Sequence, residues 1–302
     1  MTPVEEWSSE SLDDFNAALI GLADRYEQTD PAHTATQAAR LAEDAAVVAE
    51  RGVSSQAGLD WSALIARLLL LEANGLVDSG HGEQANRVTH RAETVAARIR
   101  DWPTVAHAFA IRALWARTES RWEDALDAAR QGLTYAGHSP VAAMLAGGEA
   151  SALASLGDRE SAIDTLGEAH RLMMALPSED HGRLGYSLDA YHPALFATVA
   201  SAVLVRLEAL DAAAPHLLEA RESVERAGAT GLRSSVRFAE AEAAFVRHDL
   251  DAAEMSTTDA VAVALAAGRP ARWIVDAVTT LAARARIYGQ DWSGLVSSAE
   301  GV

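Results

Sequence analysis

The sequence predicts an all-α protein, and three observations predict it. Alanine, the strongest helix former, supplies about a fifth of the 302 residues, whereas proline, the weakest, appears only eight times. β-branched and aromatic residues never cluster in the short alternating runs that a sheet requires. Short polar or glycine-containing breaks recur between segments whose apolar residues follow the helical period.

The first two segments, 11–27 and 31–51, are predicted to be helices started by Ser11 and by Asp30-Pro31, since a polar cap and a proline at the first helical position favour initiation. They make a degenerate N-terminal hairpin within residues 1–55. From residue 56 to 302 about six hairpins are expected, the last one truncated. Their breaks are Ser79-Gly80-His81-Gly82, Asp101-Trp102-Pro103, Glu119-Ser120-Arg121, Gly137-His138-Ser139-Pro140 and Gly157-Asp158-Arg159. Further breaks follow at 177–189, Ala209-Leu210-Asp211, 228–231, His248-Asp249, Gly268-Arg269-Pro270 and Gly289-Gln290-Asp291. Helices joined by so few residues must run antiparallel to their neighbours.

A register of small residues overlies these breaks. A small residue in the first helix of a pair is followed twelve residues on by a second and seven further by a third. The series reads Ala73, Ala85, Ala92; Ala113, Ala125, Gly132; Ala150, Ala162, Ala169; Ser201, Ala213, Ala220; Ala241, Ala253, Ala260. A degenerate last copy is Ala282, Gly294, Gly301. Only small side chains fit where two helices cross closely, so each triplet marks one hairpin and its seat on the next.

This spacing resembles the tetratricopeptide repeat family. Arg121-Trp122-Glu123-Asp124-Ala125-Leu126 and Leu156-Gly157-Asp158-Arg159-Glu160-Ser161-Ala162 are similar to that family's second-helix openings. The resemblance covers residues 60–302 and implies hairpins stacked as a right-handed superhelix, an α-solenoid, with first helices lining a concave groove. The period departs from the family's usual 34 residues, and the aromatic positions near the start of each repeat are largely absent. The order of elements, Tyr191-His192-Pro193 before a helix and then Leu210-Asp211-Ala212-Ala213, resembles the C-terminal sensor regions of actinobacterial helix-turn-helix regulators. That narrower resemblance implies a regulatory role in transcription or secondary metabolism.

Composition removes several chemistries. All 25 basic residues are arginine, so no Schiff-base or phosphate-loop lysine exists, and the absence of cysteine excludes thiolate nucleophiles and disulfides. The net charge of −18, with no basic run denser than Arg98-Ile99-Arg100 or Arg284-Ala285-Arg286, argues against direct nucleic-acid binding. Met1 to Trp7 lack the basic and apolar regions of a signal peptide, and the apolar run around Leu68–Leu71 is too short to span a bilayer. A cytoplasmic protein without membrane contact is expected. Nucleotide, metalloprotease, hydrolase and calcium motifs are missing, and His81-Gly82-Glu83 lacks the C-x-x-C of zinc deaminases. Accordingly no catalytic residue, cofactor or metal is assigned, and the chain is expected not to be an enzyme.

Two features point instead to binding. The inserted loop 177–193 concentrates Tyr186, Tyr191, His181, His192, three carboxylates and Arg183 in 17 residues. Insertions in repeat proteins often lie on the binding face. The second feature follows from the family resemblance, which places positions six and three before, and one and four after, the first small residue on the concave side. Carried over, that face holds Arg67, Asn74, His107, Arg117, Met144, Thr198, Phe238, Glu242 and Phe245, with Arg206 adjacent. Apolar walls with a few arginine and amide anchors have the composition of a ligand groove. The expected arrangement has the loop closing over the groove, with Tyr186, Tyr191 and His192 meeting Arg117, Arg206, Phe238 and Phe245. The leading expectation is a regulatory adaptor that holds a small signal molecule or peptide and modulates a protein partner. The alternatives are a protein–protein scaffold without small ligand and an atypical enzyme using the loop. Trp292 is expected to cover the short C-terminal end, where a homodimer contact is the further expectation.

Overall fold

The structure, a computed structural model, describes residues 9–50, 55–266 and 272–300. Of these residues 84% are helical, and none is in a strand. The helices are α1 (Ser9–Asp24), α2 (Pro31–Glu50), α3 (Ser55–Asp78), α4 (Gly82–Arg98), α5 (Trp102–Thr118), α6 (Trp122–Ala136) and α7 (Pro140–Leu156). They continue as α8 (Arg159–Met174), α9 (Pro193–Arg206), α10 (Leu210–Ala227), α11 (Thr230–Val246), α12 (Leu250–Ala266), α13 (Arg272–Ile287) and α14 (Ser293–Glu300). Short 3-10 turns occupy Tyr26–Gln28 and Ser178–His181. The break expected at Gly268-Arg269-Pro270 and the small residue Gly301 lie outside the described residues.

One turn geometry recurs. In eight connections a residue at positive φ (Gly80, Arg100, Ser120, Gly157, Glu208, Gly228, His248, Gly289) ends the helix. The next residue's N–H then donates to the carbonyl five positions back: His81 to Leu76, Asp101 to Ala96, Arg121 to Ala116, Asp158 to Leu153, Ala209 to Leu204, Ala229 to Val224, Asp249 to Ala244 and Gln290 to Ala285. This closure satisfies carbonyls that the helix end leaves without partners, and it reverses the chain in two residues. At Asp101 and Asp158 the same residue caps the following helix, accepting from Thr104 N and Ser161 N. Neighbouring helices are therefore forced into antiparallel pairs.

The small-residue register sits where these pairs touch. All fifteen members of the five complete triplets are buried, whereas Gly294 of the degenerate sixth is exposed. At Gly132 a β-carbon would stand 2.8 Å from both Leu145 Cδ2 and Phe109 Cβ, so the crossing of α6 with α5 and α7 tolerates no side chain without rearrangement. Each helix packs on its successor, and α3, α5, α7, α9 and α11 also pack on one another in series. The N-terminal helices are continuous with this body, because Leu19, Tyr26, Ala35, Leu68, Leu71 and Ile111 belong to one core. The Tyr26–Gln28 turn additionally reaches α11, across the faces of the intervening odd-numbered helices.

A candidate ligand cavity

What the odd-numbered helices enclose is a cavity of about 320 Å³, within the range of small-molecule sites. α3 supplies Asn74 and Asp78; α5 supplies His107, Ile111, Leu114 and Arg117; α7 supplies Met144, Leu145 and Gly148. Leu195, Thr198 and Val199 come from α9, and Leu232 and Ser235 from α11. Tyr26 and Glu27 close it from the N-terminal turn, and Gly185, Tyr186, Ser187 and Tyr191 close it from the inserted loop.

The loop is a folded element. Tyr191 N donates to Asp180 O at 2.9 Å, and the backbone at Gly182 (φ +55) brings it so close to Ala190 that a β-carbon would sit 2.5 Å from the alanine methyl. Asp189 forms an ion pair with Arg67 of α3. The Tyr186 ring lies 5.3 Å from the Tyr26 ring and 6.0 Å, edge-on, from His107. Leu188 packs on the N-terminal core. These contacts draw the segment from the start of α9 back across α5 to the N-terminal helices, so it forms one wall of the cavity.

The polar groups here are unusual in what they lack. His107 Nδ1, Arg117 Nε and the hydroxyls of Tyr186 and Tyr191 are sealed from solvent, and none has a hydrogen-bonding partner among the described residues. His107 and Tyr191 are only 3% and 2% exposed. A sealed polar group left unsatisfied costs roughly 1–3 kcal/mol, so four around one cavity are a feature a fold optimised only for stability would not keep. By contrast Asn74 Nδ2 donates to the Tyr26 hydroxyl (2.8 Å), which donates to Asp78 Oδ2 (2.5 Å), and Thr198 Oγ1 donates to Ala194 O (2.8 Å).

Burial sets the charge states. It pushes the His107 imidazole down to a pKa of about 4, with the Arg67 charge adding to the effect, so His107 is neutral at physiological pH. Burial raises both tyrosines well above the ordinary phenol value, opposed at Tyr186 by Arg67 and at Tyr191 by Arg117. Burial also lowers the pKa of Arg117, with Tyr191 opposing and the Arg206 charge reinforcing the fall. No carboxylate is among the groups that act on Arg117. It remains a guanidinium, since arginine does not deprotonate in proteins.

The residues singled out in the sequence divide into two groups. Asn74, His107, Arg117, Met144, Tyr186, Tyr191 and Thr198 line the cavity. Arg67 does not line it but is tied to Asp189, and its charge acts on His107 and Tyr186. The remaining five do not reach it. His192 caps α9, its Nδ1 accepting from Ala194 N at 3.0 Å, and faces a separate depression outside the loop. Arg206 is exposed, donates to Ser155 Oγ and lies over the Trp122 ring. Phe238 and Phe245 are core residues, edge-on to Trp273 at 5.7 Å and tilted against Trp292 at 5.3 Å. Glu242 sits on α11 away from the cavity. The expected meeting of the loop with Arg206, Phe238 and Phe245 therefore does not occur: Trp273 of α13 and Trp292, just before α14, stand against those phenylalanines instead.

Sequence reasoning missed Tyr26, Glu27 and Asp78. The available signal was Tyr26 itself, a large aromatic at the end of the first predicted helix beside the polar run Glu27-Gln28-Thr29-Asp30, where its ring calls for burial against another part of the chain. Among the described residues no group of three histidines or carboxylates could hold a metal, and no helix is long and apolar enough to cross a membrane. No protein-family model matches the chain, and comparison with curated protein sequences finds no relative.

Proposed function

We propose that this chain is a ligand-responsive regulatory adaptor of tetratricopeptide-like build, which holds one small molecule inside the cavity and passes its occupancy to a protein partner. The single observation that carries the reading is the convergence of four sealed, unpartnered polar groups on one walled cavity. Ligand atoms would complete those hydrogen bonds, and apolar contact with Ile111, Leu114, Met144, Leu145, Leu195, Val199 and Leu232 would supply the bulk of the affinity. The folded loop favours a small molecule over a peptide, because an extended chain would need an open channel along the helices.

The repeated corner geometry and the series contacts of the odd-numbered helices support a solenoid-like stack. A ligand touching α3, α5, α7, α9 and α11 together would bias the tilt of four successive interfaces at once, which is a route from binding to shape. A binding role is favoured over a catalytic one because His107, the buried candidate base, is hydrogen-bonded to neither a nucleophile nor a carboxylate. In keeping with the charge of −18, the partner would be a basic protein such as a DNA-binding regulator, with the chain itself in the cytoplasm and not on DNA.

The test is native mass spectrometry of protein purified from its own host. A retained small molecule in one-to-one ratio, lost on substituting Tyr186 and Tyr191 by phenylalanine together, is the expected result. Retention of the same mass by that double variant would remove the cavity from the reading.

A further inference from the structure

Resting on that reading of the cavity, we infer that its ligand is a small monocarboxylate with an apolar body, its carboxylate held by Arg117 and the Tyr191 hydroxyl.

The argument begins from charge. Arg117 lines the partly open cavity, and among the described residues the groups acting on it are Tyr191 and Arg206 rather than any carboxylate. Two other arginines near this region do have an anion: Arg67 pairs with Asp189, and Arg183 lies 3.8 Å from Asp24. Arg117 is half-buried with its Nε sealed, and a partly desolvated cation with no carboxylate beside it among the described residues favours an incoming anion. The planar guanidinium fork matches a carboxylate, and a neighbouring phenol that already lacks an acceptor supplies another donor.

The rest of the lining narrows the class. Beyond Arg117 the walls contributed by α5, α7 and α9 are mostly apolar (Leu114, Ile111, Met144, Leu145, Leu195 and Val199), with His107 and Thr198 as their polar members, and suit an aliphatic or aromatic body. Glu27 and Asp78 also line the cavity, and the Asp78 charge acts on Tyr186, not on Arg117. A second anionic group on the ligand would meet these carboxylates, so a dianion is disfavoured. A second depression, which shares Gly185 and Tyr186 with the cavity, presents Arg183 and Arg226 with Asp24 as the carboxylate among its described lining, on a chain whose net charge is −18.

The test uses stripped full-length protein and four probe sets: the straight-chain acids octanoate, decanoate and dodecanoate, their methyl esters, the corresponding primary alcohols, and the dianion decanedioate. Binding is followed by calorimetry and by shift of the melting temperature. At least one monoacid is expected to bind one-to-one, at least tenfold tighter than its ester or alcohol and tenfold tighter than decanedioate. In Arg117→Met the advantage of acid over ester should vanish, while the unliganded protein melts no lower than wild type. Tyr191→Phe should weaken the acid more than the ester. Esters or alcohols binding as tightly as the acids, or Arg117→Met keeping the preference for acid, would overturn the carboxylate assignment and leave the cavity as a site for neutral molecules. If no probe of any set binds, the ligand-binding reading of the cavity falls with it.

Discussion

α5 and α11 carry the same register and arrive at different ends. At six and three residues before the small position, and one and four after it, α5 has His107, Ala110, Leu114 and Arg117, while α11 has Ser235, Phe238, Glu242 and Phe245. All four α5 residues line the cavity, whereas of the α11 set only Ser235 does. The difference lies in what stands opposite. Over α5 the chain has placed the inserted loop, which brings hydroxyls and leaves open space. Over α11 it has placed Trp273 and Trp292, whose rings approach Phe238 and Phe245 and close the space. A helical register states which side of a helix turns inward; whether that side meets a void or a side chain is decided by segments far along the sequence.

The largest effect that would sharpen this contrast is expected in the closed region. Phe245→Ala should lower stability by about 3–5 kcal/mol, the usual cost of emptying an aromatic core position. Ligand retention should hardly change, and denaturant unfolding with native mass spectrometry reads both. A Phe245→Ala protein that kept its stability but lost its ligand would break the comparison, by making Phe245 a groove residue after all.

The open region should respond with the opposite sign. Arg117→Met removes a half-buried charge that has no carboxylate partner among the described residues, and exchange of buried ionic groups for packed apolar ones ranges from neutral to stabilising by about 1–4 kcal/mol, with the lower end expected at this exposure. A rise in the unfolding free energy of unliganded protein is therefore expected. A fall of similar size would show that Arg117 is a structural cation whose partner forms in solution.

His107 adds a pH signature. Its pKa is about 4 in the folded chain against 6.5 when exposed, so between these values the unfolded state binds more protons. Its contribution to stability is complete above the unfolded value and is lost as pH falls toward the folded one. The loss from pH 7.5 to pH 5 should be about 2 kcal/mol larger in wild type than in His107→Gln. His192 and His216, also lowered by burial, act in the same direction, and Glu72, raised by burial, acts in the opposite one. All three are common to both proteins, so the difference isolates His107. Equal slopes would mean that the imidazole is hydrated.

These contrasts also show what the sequence could carry. The hairpin corners were legible because each closure is local: Gly157-Asp158-Arg159 contains the positive-φ residue, the cap and the reversal within three positions. The triplet Ala150, Ala162, Ala169 was legible because close helix crossing excludes larger side chains. Arg117 and Tyr191 could be singled out by type and offset. Tyr26 could not be placed at the cavity, because its arrival depends on the N-terminal turn reaching α11. Arg206 was misplaced by a single step around the helix: its neighbour Val205 is buried, while Arg206 turns outward to Ser155 and Trp122. One residue is 100° of rotation, enough to exchange groove for surface.

The smallest expected effect concerns how the loop is held. The loop has two ionic tethers, Arg67–Asp189 and the longer Arg183–Asp24 at 3.8 Å, but Asp189 is 71% exposed and Arg183 89%, and exposed pairs contribute at most about 1 kcal/mol each. The Tyr186 ring, in contrast, lies against Tyr26 and His107, and Leu188 joins the N-terminal core. Apolar contact rather than charge should therefore keep the loop closed. Asp189→Asn should accelerate amide hydrogen exchange across 182–191 less than fivefold, the equivalent of about 1 kcal/mol, with little salt dependence in the wild type. Tyr186→Ala should accelerate it further, because it removes both ring contacts together. Ligand release should follow the same order, since the loop is the wall a ligand must displace. If Asp189→Asn opened the loop as fully as Tyr186→Ala, and high salt reproduced its effect in wild type, the closure would be electrostatic. The contrast between a loop that packs and one that is merely latched would then be decided for the latch.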